Sequence, residues 1–448
     1  MTVARLRAIA DRFLPAGGLL LSVLLFGSYA MGLLRDRTFA RTFGAGPQLD
    51  AYNAAFVLPE LLLDVLVEAG LAAPFIPIFL RLRAVDASEA DRFARTILSA
   101  GVAIMGGAAV LMFILADATT GLIAPGFAGQ QRDLYVSLFR LMLVTPILFA
   151  ASLTLGQVLL AEQRLFWYGI APLLYNGGII TGTLLFSGSL GIYGPAIGAI
   201  IGAAIHLGSR FVGLRGSRFR VPLGWQARTD SIREFVRLML PKMVSHPVEP
   251  MTFLFFTSIA SGLAAGSVTV VSYARNFQSV PVSLIGVAFA LAAFPALSTA
   301  HATGDRRGFL RLLASQMVTI GVITTLAAVA LVLVAGLAIR VLLGGGAFGP
   351  QDVARTGTVL AAFALSIPFE SLSHLLSRAI YATRHTILQV LSSLAGLAVT
   401  VVATLALLPG LGIVAIPFGF AIGQAAKLGL LALSLAARLR RFEQAGPI

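Results

Sequence analysis

Apolar stretches long enough to cross a lipid bilayer recur along the whole of this 448-residue chain. A helix rises about 1.5 Å per residue, so about 20 apolar residues cross a hydrocarbon core about 30 Å thick. Hydrophobic residues make up 58% of the sequence and charged residues only 12%, outside the range of soluble domains. Because helices satisfy their own backbone hydrogen bonds in lipid, we predict an all-α polytopic membrane protein with about 12 transmembrane helices.

The second half of the sequence repeats the first. The stretch Leu190 to Gly208 aligns without gaps on Leu411 to Gly429, a constant offset of 221 residues with glycines and small residues at the same positions. An offset of about half the length predicts two pseudo-symmetric six-helix lobes around a central cavity, an arrangement typical of transporters. The predicted domains are an N-terminal lobe at 1–214, a basic cytoplasmic linker at 215–237 and a C-terminal lobe at 238–448.

The net charge of +14 is carried almost entirely by arginines in short loops between the predicted spans. Loop arginines are topology signals, so this charge predicts membrane orientation and no nucleic-acid partner. An even number of spans, with most arginines on one side, places both termini in the cytoplasm. The first apolar stretch, Phe13 to Leu34, is too long for a signal-peptide core, and we predict that it is retained as a span.

The stretch from Arg35 to Arg83 carries more charge than any other predicted membrane segment. Its polar turn is either a solvated loop or a binding site for anionic headgroups, and its charged residues are Arg35, Asp36, Arg37 and Arg41. The apolar segment after it contains Glu60, Asp64 and Glu68 at four-residue spacing, which places all three on one helix face. A charge near mid-bilayer costs about 3 kcal/mol, so this face must meet protein or water.

Three further polar groups lie in predicted spans of the second half. His246 and Glu249 flank breaks at prolines and could carry or gate protons, or form an interfacial polar pair. Arg275, followed by Asn276, either snorkels toward the interface or faces a cavity and binds a phosphate bidentately. Glu370, His374 and Arg378 are spaced four residues apart, which indicates either an internal salt-bridged stripe or an ion-coupling face.

The sequence contains no cysteine and no catalytic or nucleotide-binding motif. We therefore predict a transporter rather than an enzyme, with no cofactor. Its energy would come from an ion gradient, the membrane potential or the substrate gradient, with a cation or proton of unknown identity as the coupling ion.

The segments RDRTFARTFGAGPQLDAYNAAFVLPELL and EAGLAAPFIPIF resemble the signature of the MurJ/MviN lipid II flippases. This family belongs to the multidrug, oligosaccharidyl-lipid and polysaccharide exporter superfamily. APLLYN and LLSRAIYATRHT resemble further family segments in the expected order. The resemblance implies a flippase for a polyprenyl-diphosphate-linked sugar, most simply the peptidoglycan precursor lipid II, working by alternating access in the bacterial cytoplasmic (inner) membrane. Its implied partners are the lipid-linked substrate, membrane lipids and cell-wall synthesis proteins.

The resemblance also carries over site residues. Arg35, Asp36, Asp50 and Glu68 match the family pattern, and positive charge is retained at Arg275 with a one-residue shift. The chain departs from the family at Tyr29 and at Leu63–Asp64, where the family has basic residues, and its twelve predicted spans are two fewer than usual. The alternatives are a cation-coupled multidrug or other lipid or polysaccharide exporter of the same superfamily, and a non-transporting membrane scaffold.

Overall fold

The computed structural model describes residues 16–65, 69–217, 219, 223–226, 229–245, 248–383 and 385–444. Within these ranges the chain is helical almost throughout, and the only extended pairing is a single bridge between Gly345 and Phe348. The prediction of an all-α fold is therefore confirmed. The chain divides into two compact units, Met1–Leu254 and Phe255–Ile448.

Among the described residues, the first unit contains ten helices and the beginning of an eleventh. They are α1 (Ala16–Phe43), α2 (Pro47–Leu63), α3 (Ala69–Val85), α4 (Ala87–Ile114), α5 (Ala116–Ile123), α6 (Gly129–Met142), α7 (Val144–Ala161), α8 (Leu165–Leu190), α9 (Tyr193–Gly213), α10 (Asp230–Ser245) and α11 (Val248–Ser261). Within this unit α10 packs against α3, where Glu234 pairs with Arg81. The ring of Phe235 in α10 also contacts the ring of Phe93 in α4.

The described part of the second unit contains the end of α11 and seven further helices. They are α12 (Ser267–Pro281), α13 (Ala288–Ala302), α14 (Arg306–Leu342), α15 (Pro350–Ala364), α16 (Ile367–Ala382), α17 (Thr386–Leu411) and α18 (Ala415–Gln444). A π-helical turn, Val282–Val287, connects α12 to α13, and a short 3-10 turn, Gly412–Val414, precedes α18.

The internal repeat is confirmed element by element at the same offset of 221 residues. α8 covers Leu165–Leu190 and α17 covers Thr386–Leu411, so both ends of the two helices coincide under this offset. Each helix ends at a glycine with nearly the same positive φ, 54° at Gly191 and 55° at Gly412. L-residues rarely adopt this backbone conformation, which explains why both positions are glycine.

The number of spans is confirmed only in part. Among the described residues, eight helical segments are long and apolar enough to cross a membrane, and the bent pair α15–α16 makes nine. One of these segments, Ile387–Leu439, contains both α17 and α18. The predicted second span, Ala51 to Leu80, and the predicted seventh span, Leu238 to Ile259, include residues outside the described ranges, so the total of twelve stays a prediction.

Glycines allow α8 and α9 to pack closely where they cross. A Cβ atom built on Gly182 would lie 2.4 Å from the Cα atom of Gly198, and one built on Gly178 would lie 2.4 Å from Cα of Gly202. The equivalent glycines of α18, Gly419 and Gly423, approach α17 in the same way. Small residues at four-residue spacing allow membrane helices to pack backbone to backbone, and both units use this arrangement.

Candidate functional site

The first polar cluster joins Arg35 of α1 to Asn176 of α8. Arg35 donates two hydrogen bonds to Oδ1 of the neighbouring Asp36, from Nε at 3.0 Å and from Nη2 at 2.8 Å. Its third hydrogen bond runs from Nη1 to Oδ1 of Asn176 at 3.2 Å. The Arg35 side chain is 28% exposed and that of Asp36 12% exposed, so the guanidinium is held in place but is still accessible.

A bond to the backbone carbonyl of Pro172 orients the side chain of Asn176. Asn176 is one helical turn after Pro172 in α8, and its amide Nδ2 donates to the Pro172 carbonyl at 3.1 Å. This bond fixes the amide so that Oδ1 faces Arg35. Asn176 is 8% exposed, and a buried amide of this kind needs partners for both its donor and its acceptor.

The other residues predicted in this region are spread along α1 and α2. Arg37 is half-buried and Arg41 exposed toward the end of α1, and Asp50 is buried, 2% exposed, in the first turn of α2. Asp64 is half-buried where α2 continues into a π-helical turn, the position equivalent to the π-helical turn Val282–Val287. Insertions of this kind are frequent at functional sites. Glu68 lies outside the described residues.

The second polar cluster lies in the second unit and is centred on an ion pair between Arg275 of α12 and Glu370 of α16. Arg275 donates from Nη2 to Oε1 of Glu370 at 2.7 Å and from Nη1 to Oε2 at 3.3 Å. The two side chains are only 4% and 8% exposed. Gln278 binds both partners: its Oε1 accepts from Arg275, and its Nε2 donates to Glu370 Oε2 at 2.9 Å. Phe420 covers the guanidinium, with its ring centroid 4.9 Å from Cζ of Arg275.

A break between α15 and α16 places Glu370 in this cluster. The two helices meet at an angle of 42°, and Pro368, which lacks an N–H donor, stands in the first turn of α16. Ser366 at the break donates from Oγ to the Phe363 carbonyl at 2.7 Å and accepts from Gln278 Nε2 at 3.0 Å. The four polar side chains of this cluster, Arg275, Gln278, Ser366 and Glu370, are all buried and are connected by hydrogen bonds into one network.

Two residues of the predicted stripe on α16 have partners on other helices. The partner of Glu370 is Arg275, and Arg378 instead lies over the rings of Phe294, 6.0 Å away, and Tyr381, 5.9 Å away. His374, which lies between Glu370 and Arg378 in the sequence, is half-buried.

The last three predicted site residues lie away from this cluster or outside the described ranges. Asn276 follows Arg275 directly but is exposed, and Glu249 in the first turn of α11 is also exposed. His246 lies outside the described residues. Among the residues that the structure describes, no group of three His, Asp or Glu side chains is arranged to hold a metal ion.

A third cluster, formed by Ser152, His206 and Arg210, was not predicted from the sequence. Arg210 is 2% exposed and donates from Nη1 to two backbone carbonyls of α8, those of Trp167 at 2.7 Å and Tyr168 at 2.8 Å. Ser152 Oγ lies 2.7 Å from Nδ1 of His206, and Nε of Arg210 donates to the same oxygen at 3.4 Å. A lone arginine inside a predicted apolar span is the signal that could have identified this cluster.

Ion pairs also connect the helix ends on the side predicted to be cytoplasmic. Arg83 donates to Asp91 at 3.1 Å and to Glu162 at 3.0 Å, which ties the end of α3 to the start of α4 and to the end of α7. Arg81 pairs with Glu234 of α10, both outside the predicted spans. The hydrogen bonds from Arg81 lower the pKa of Glu234 below its ordinary value.

A family model described as lipid II flippase MurJ matches residues 39–447 of this chain. The chain belongs to the MurJ family of lipid II flippases. The resemblance seen in the Arg35 stretch is thus confirmed over nearly the whole sequence. Membership makes the chain a multi-pass transporter of the bacterial inner membrane, in a family that acts in peptidoglycan biosynthesis.

Curated relatives agree with the MurJ family assignment. The probable lipid II flippase MurJ of Rickettsia prowazekii (strain Madrid E) is 25% identical over 421 residues, which cover 92% of this chain and 82% of the relative. The lipid II flippase MurJ of Burkholderia cenocepacia is 25% identical over 433 residues, covering 94% of this chain and 83% of the relative.

Solved structures show the same fold. The structure titled lipid II flippase MurJ, inward closed conformation, matches with a TM-score of 0.80 at 22% identity, covering 95% of this chain and 90% of that one. An inward-facing multidrug resistance MATE family transporter of the MOP superfamily matches with a TM-score of 0.81 at 15% identity, covering 94% and 96%. The MurJ-family chain therefore has the fold common to this transporter superfamily.

Proposed function

We propose that this chain translocates lipid II across the cytoplasmic membrane by alternating access, and that Arg35 makes the first contact with the diphosphate. The observation that carries the assignment to Arg35 is its geometry. An arginine has five N–H donors, and the bonds to Asp36 and Asn176 use three of those of Arg35. Two donors remain on a side chain that is 28% exposed, in a plane fixed by its neighbours.

A diphosphate needs donors of this kind. Its oxygens form charge-assisted hydrogen bonds that are about twice as strong as neutral ones, and planar guanidinium groups bind phosphate bidentately. Asp36 balances the charge of Arg35 while the site is empty and keeps the guanidinium from rotating. A prepositioned donor loses less side-chain entropy when the ligand arrives.

Arg275 differs from Arg35 in this respect. In the conformation described here both oxygens of Glu370 and the amide of Gln278 occupy its guanidinium. A phosphate could bind Arg275 only after this buried pair opens, so we assign a later contact or a structural role to Arg275 and the entry site to Arg35.

The test is lipid II translocation in vesicles that contain the purified protein. Arg35→Gln should slow translocation by about tenfold or more, because a charged hydrogen bond contributes about 1.5–3 kcal/mol. Arg35→Lys should retain part of the rate, since it keeps the charge without the planar fork. Arg233→Gln is the matched control, because Arg233 is 74% exposed on α10 and pairs with the neighbouring Asp230. An Arg35→Gln variant that flips lipid II at the rate of the control would refute the site.

We also propose that a proton or cation, rather than a resident cofactor, couples to transport, with the half-buried Asp64 as the coupling carboxylate. Vesicles with imposed proton or sodium gradients would distinguish the coupling ion, and Asp64→Asn should abolish the gradient dependence. Both termini would lie in the cytoplasm, and cell-wall synthesis proteins that make or consume lipid II would be the protein partners.

The multidrug exporter stays the second candidate, because the MATE transporter shares this fold as closely as the MurJ structure does. Under that function the unaltered protein would export drugs, and Asp64→Asn would abolish this efflux. Drug efflux without any lipid II translocation by the unaltered protein would favour this candidate over the flippase.

A further inference from the structure

The buried guanidinium of Arg210 serves backbone carbonyls rather than a carboxylate. Arg210 lies in α9, 2% exposed, and its partners in the described part of the chain are Ser152, the carbonyls of Trp167 and Tyr168, and the ring of Tyr168 at 5.2 Å. Burying a charge without hydrogen bonds is costly. We therefore expect that the backbone acceptors around Arg210 need its N–H donors.

Pro172 leaves one of these backbone carbonyls without its helical donor. In a regular helix the carbonyl of Tyr168 would accept from the N–H of residue 172, but proline has none, and its ring pushes the carbonyl four residues earlier away from the helix axis. Tyr168 is that residue. Nη1 of Arg210 supplies the missing donor at 2.8 Å and also bonds the adjacent Trp167 carbonyl at 2.7 Å. A proline inside a membrane helix is tolerated where a neighbouring helix satisfies the freed backbone group in this way.

The internal repeat supports this interpretation independently. At the offset of 221 residues, Pro172 corresponds to Ser393 of α17, and Arg210 corresponds to Leu431 of α18. Both equivalents are buried, at 5% and 0% exposed. With serine in place of the proline at this turn of α17, the carbonyl one turn earlier keeps its helical donor, and the position equivalent to Arg210 is apolar. The proline and the arginine occur together at these positions in one unit and are replaced together in the other.

The same turn of α8 also positions the proposed anion site. Asn176, one turn beyond Pro172, bonds the Pro172 carbonyl with Nδ2 and Arg35 with Oδ1. We propose that Arg210 is a positioning residue for lipid II binding: it stabilises the conformation of α8 around Pro172, and this conformation presents Asn176 to Arg35. The inference rests on the proposed function of Arg35.

Ser152 and His206 orient Arg210 from the opposite side. His206 is one turn before Arg210 on α9, and its Nδ1 lies 2.7 Å from Ser152 Oγ, which accepts from Nε of Arg210. Phe149 packs edge-on against the His206 ring, with centroids 4.9 Å apart, and against Tyr175 at the same distance. The guanidinium is thereby aimed at the carbonyls of α8 by contacts with α7.

The test compares Arg210→Leu, Pro172→Ser and the double variant, with the thermal midpoint and the half-saturation concentration for lipid II measured on the purified full chain. Arg210→Leu should lower the midpoint and weaken lipid II binding. The double variant copies the second unit: Pro172→Ser restores a backbone N–H that satisfies the Tyr168 carbonyl, so the midpoint should recover.

Binding should not recover in the double variant, because closing the hydrogen-bond ladder moves Asn176 away from Arg35. We expect the half-saturation concentration to stay raised about tenfold, as in Asn176→Ala, with no further loss when Asn176→Ala is added. A double variant that recovers both the midpoint and unaltered lipid II binding would overturn the inference and leave Arg210 a purely structural residue.

Arg35→Gln is measured alongside. If Arg35→Gln binds lipid II normally, the proposed anion site is wrong. If Arg35→Gln loses binding while the double variant binds like the unaltered protein, only the role of Arg210 is wrong.

Discussion

At the scale of single residues, the two arginine clusters differ in what their guanidinium groups are free to do. Arg35 keeps two donors and partial exposure, whereas Arg275 is enclosed by Glu370, Gln278 and Phe420. The guanidinium group is therefore accessible in one cluster and enclosed in the other. The spacing of charges along the sequence does not distinguish these roles, because the partner of Arg275 is 95 positions away.

The Arg275–Glu370 pair gives a prediction on stability. Glu370→Leu should destabilise the protein by about 3–5 kcal/mol, since it leaves an uncompensated buried charge. The double variant Arg275→Met, Glu370→Leu should recover most of that loss, because apolar residues of similar volume replace the whole pair. Thermal unfolding in detergent measures both. Glu234→Gln, which removes an exposed partner of Arg81, is the control and should leave the midpoint unchanged. A double variant as unstable as Glu370→Leu would contradict this account.

Some site residues could be identified from the sequence, but the residues that they contact could not. The prediction of a charged turn at Arg35 and Asp36 was wrong, because α1 continues as a helix to Phe43 and both residues lie inside it. The structure adds Asn176 of α8 as a partner of Arg35. Asn176 was visible only as a single polar group in an apolar span. The cluster of Ser152, His206 and Arg210 was missed although Arg210 lies inside a predicted apolar span, because its partners Ser152 and Trp167 are more than 40 positions away in sequence.

At the scale of helices, glycine positions decide how closely α8 and α9 pack. Gly182→Ala should prevent the observed crossing, because the added Cβ would lie 2.4 Å from Cα of Gly198, which is backbone and cannot move aside. We expect a lower thermal midpoint or loss of folded protein. Gly188 lies in the same helix with nothing within 4 Å of a built Cβ. Gly188→Ala should therefore be neutral or stabilising by up to about 1 kcal/mol, from helix propensity. Equal effects of the two substitutions would show that propensity, not the crossing, controls stability.

The repeat was the part of the fold that the sequence predicted best. The identical residues between Leu190 and Gly208 and their equivalents include Gly191, whose φ of 54° only glycine adopts readily, and Gly198 and Gly202, which lie in the crossing. Backbone constraints of this kind keep the same residue in both copies. Side chains that lie neither at a positive φ nor in the helix crossing differ between the two halves. Aligning the halves therefore could not predict the polar clusters.

At the scale of the whole molecule, the two units share a scaffold but not their polar chemistry. Arg35 and Asn176 correspond to Phe256 and Leu397 in the second unit. Conversely, Arg275 and Glu370 correspond to Ala54 and Phe149 in the first. The central arginine of each cluster and its partner on a distant helix therefore occupy positions that are apolar in the other copy. A duplicated bundle with asymmetric polar groups can bind an asymmetric ligand, such as a lipid carrying a diphosphate and a sugar at one end.

The orientation of the chain in the membrane gives the last prediction. Arginine-rich loops predict that the connections after α7 and α13 face the cytoplasm, while the loops before α6 and after α8 face the opposite side. Since the sequence contains no cysteine, single cysteines can report on accessibility without background labelling. Four exposed positions serve this purpose: Gln163, Thr303, Gln130 and Ser189.

In intact cells a membrane-impermeant thiol reagent should label Gln130→Cys and Ser189→Cys. It should label Gln163→Cys and Thr303→Cys only after the cells are broken. The reverse pattern would place the termini outside the cytoplasm, and the loop ion pairs of Arg83 with Asp91 and Glu162 would then face the periplasmic side. A mixed pattern within one unit would contradict the helix order itself, because Gln130 and Gln163 are separated by the single span formed by α6 and α7.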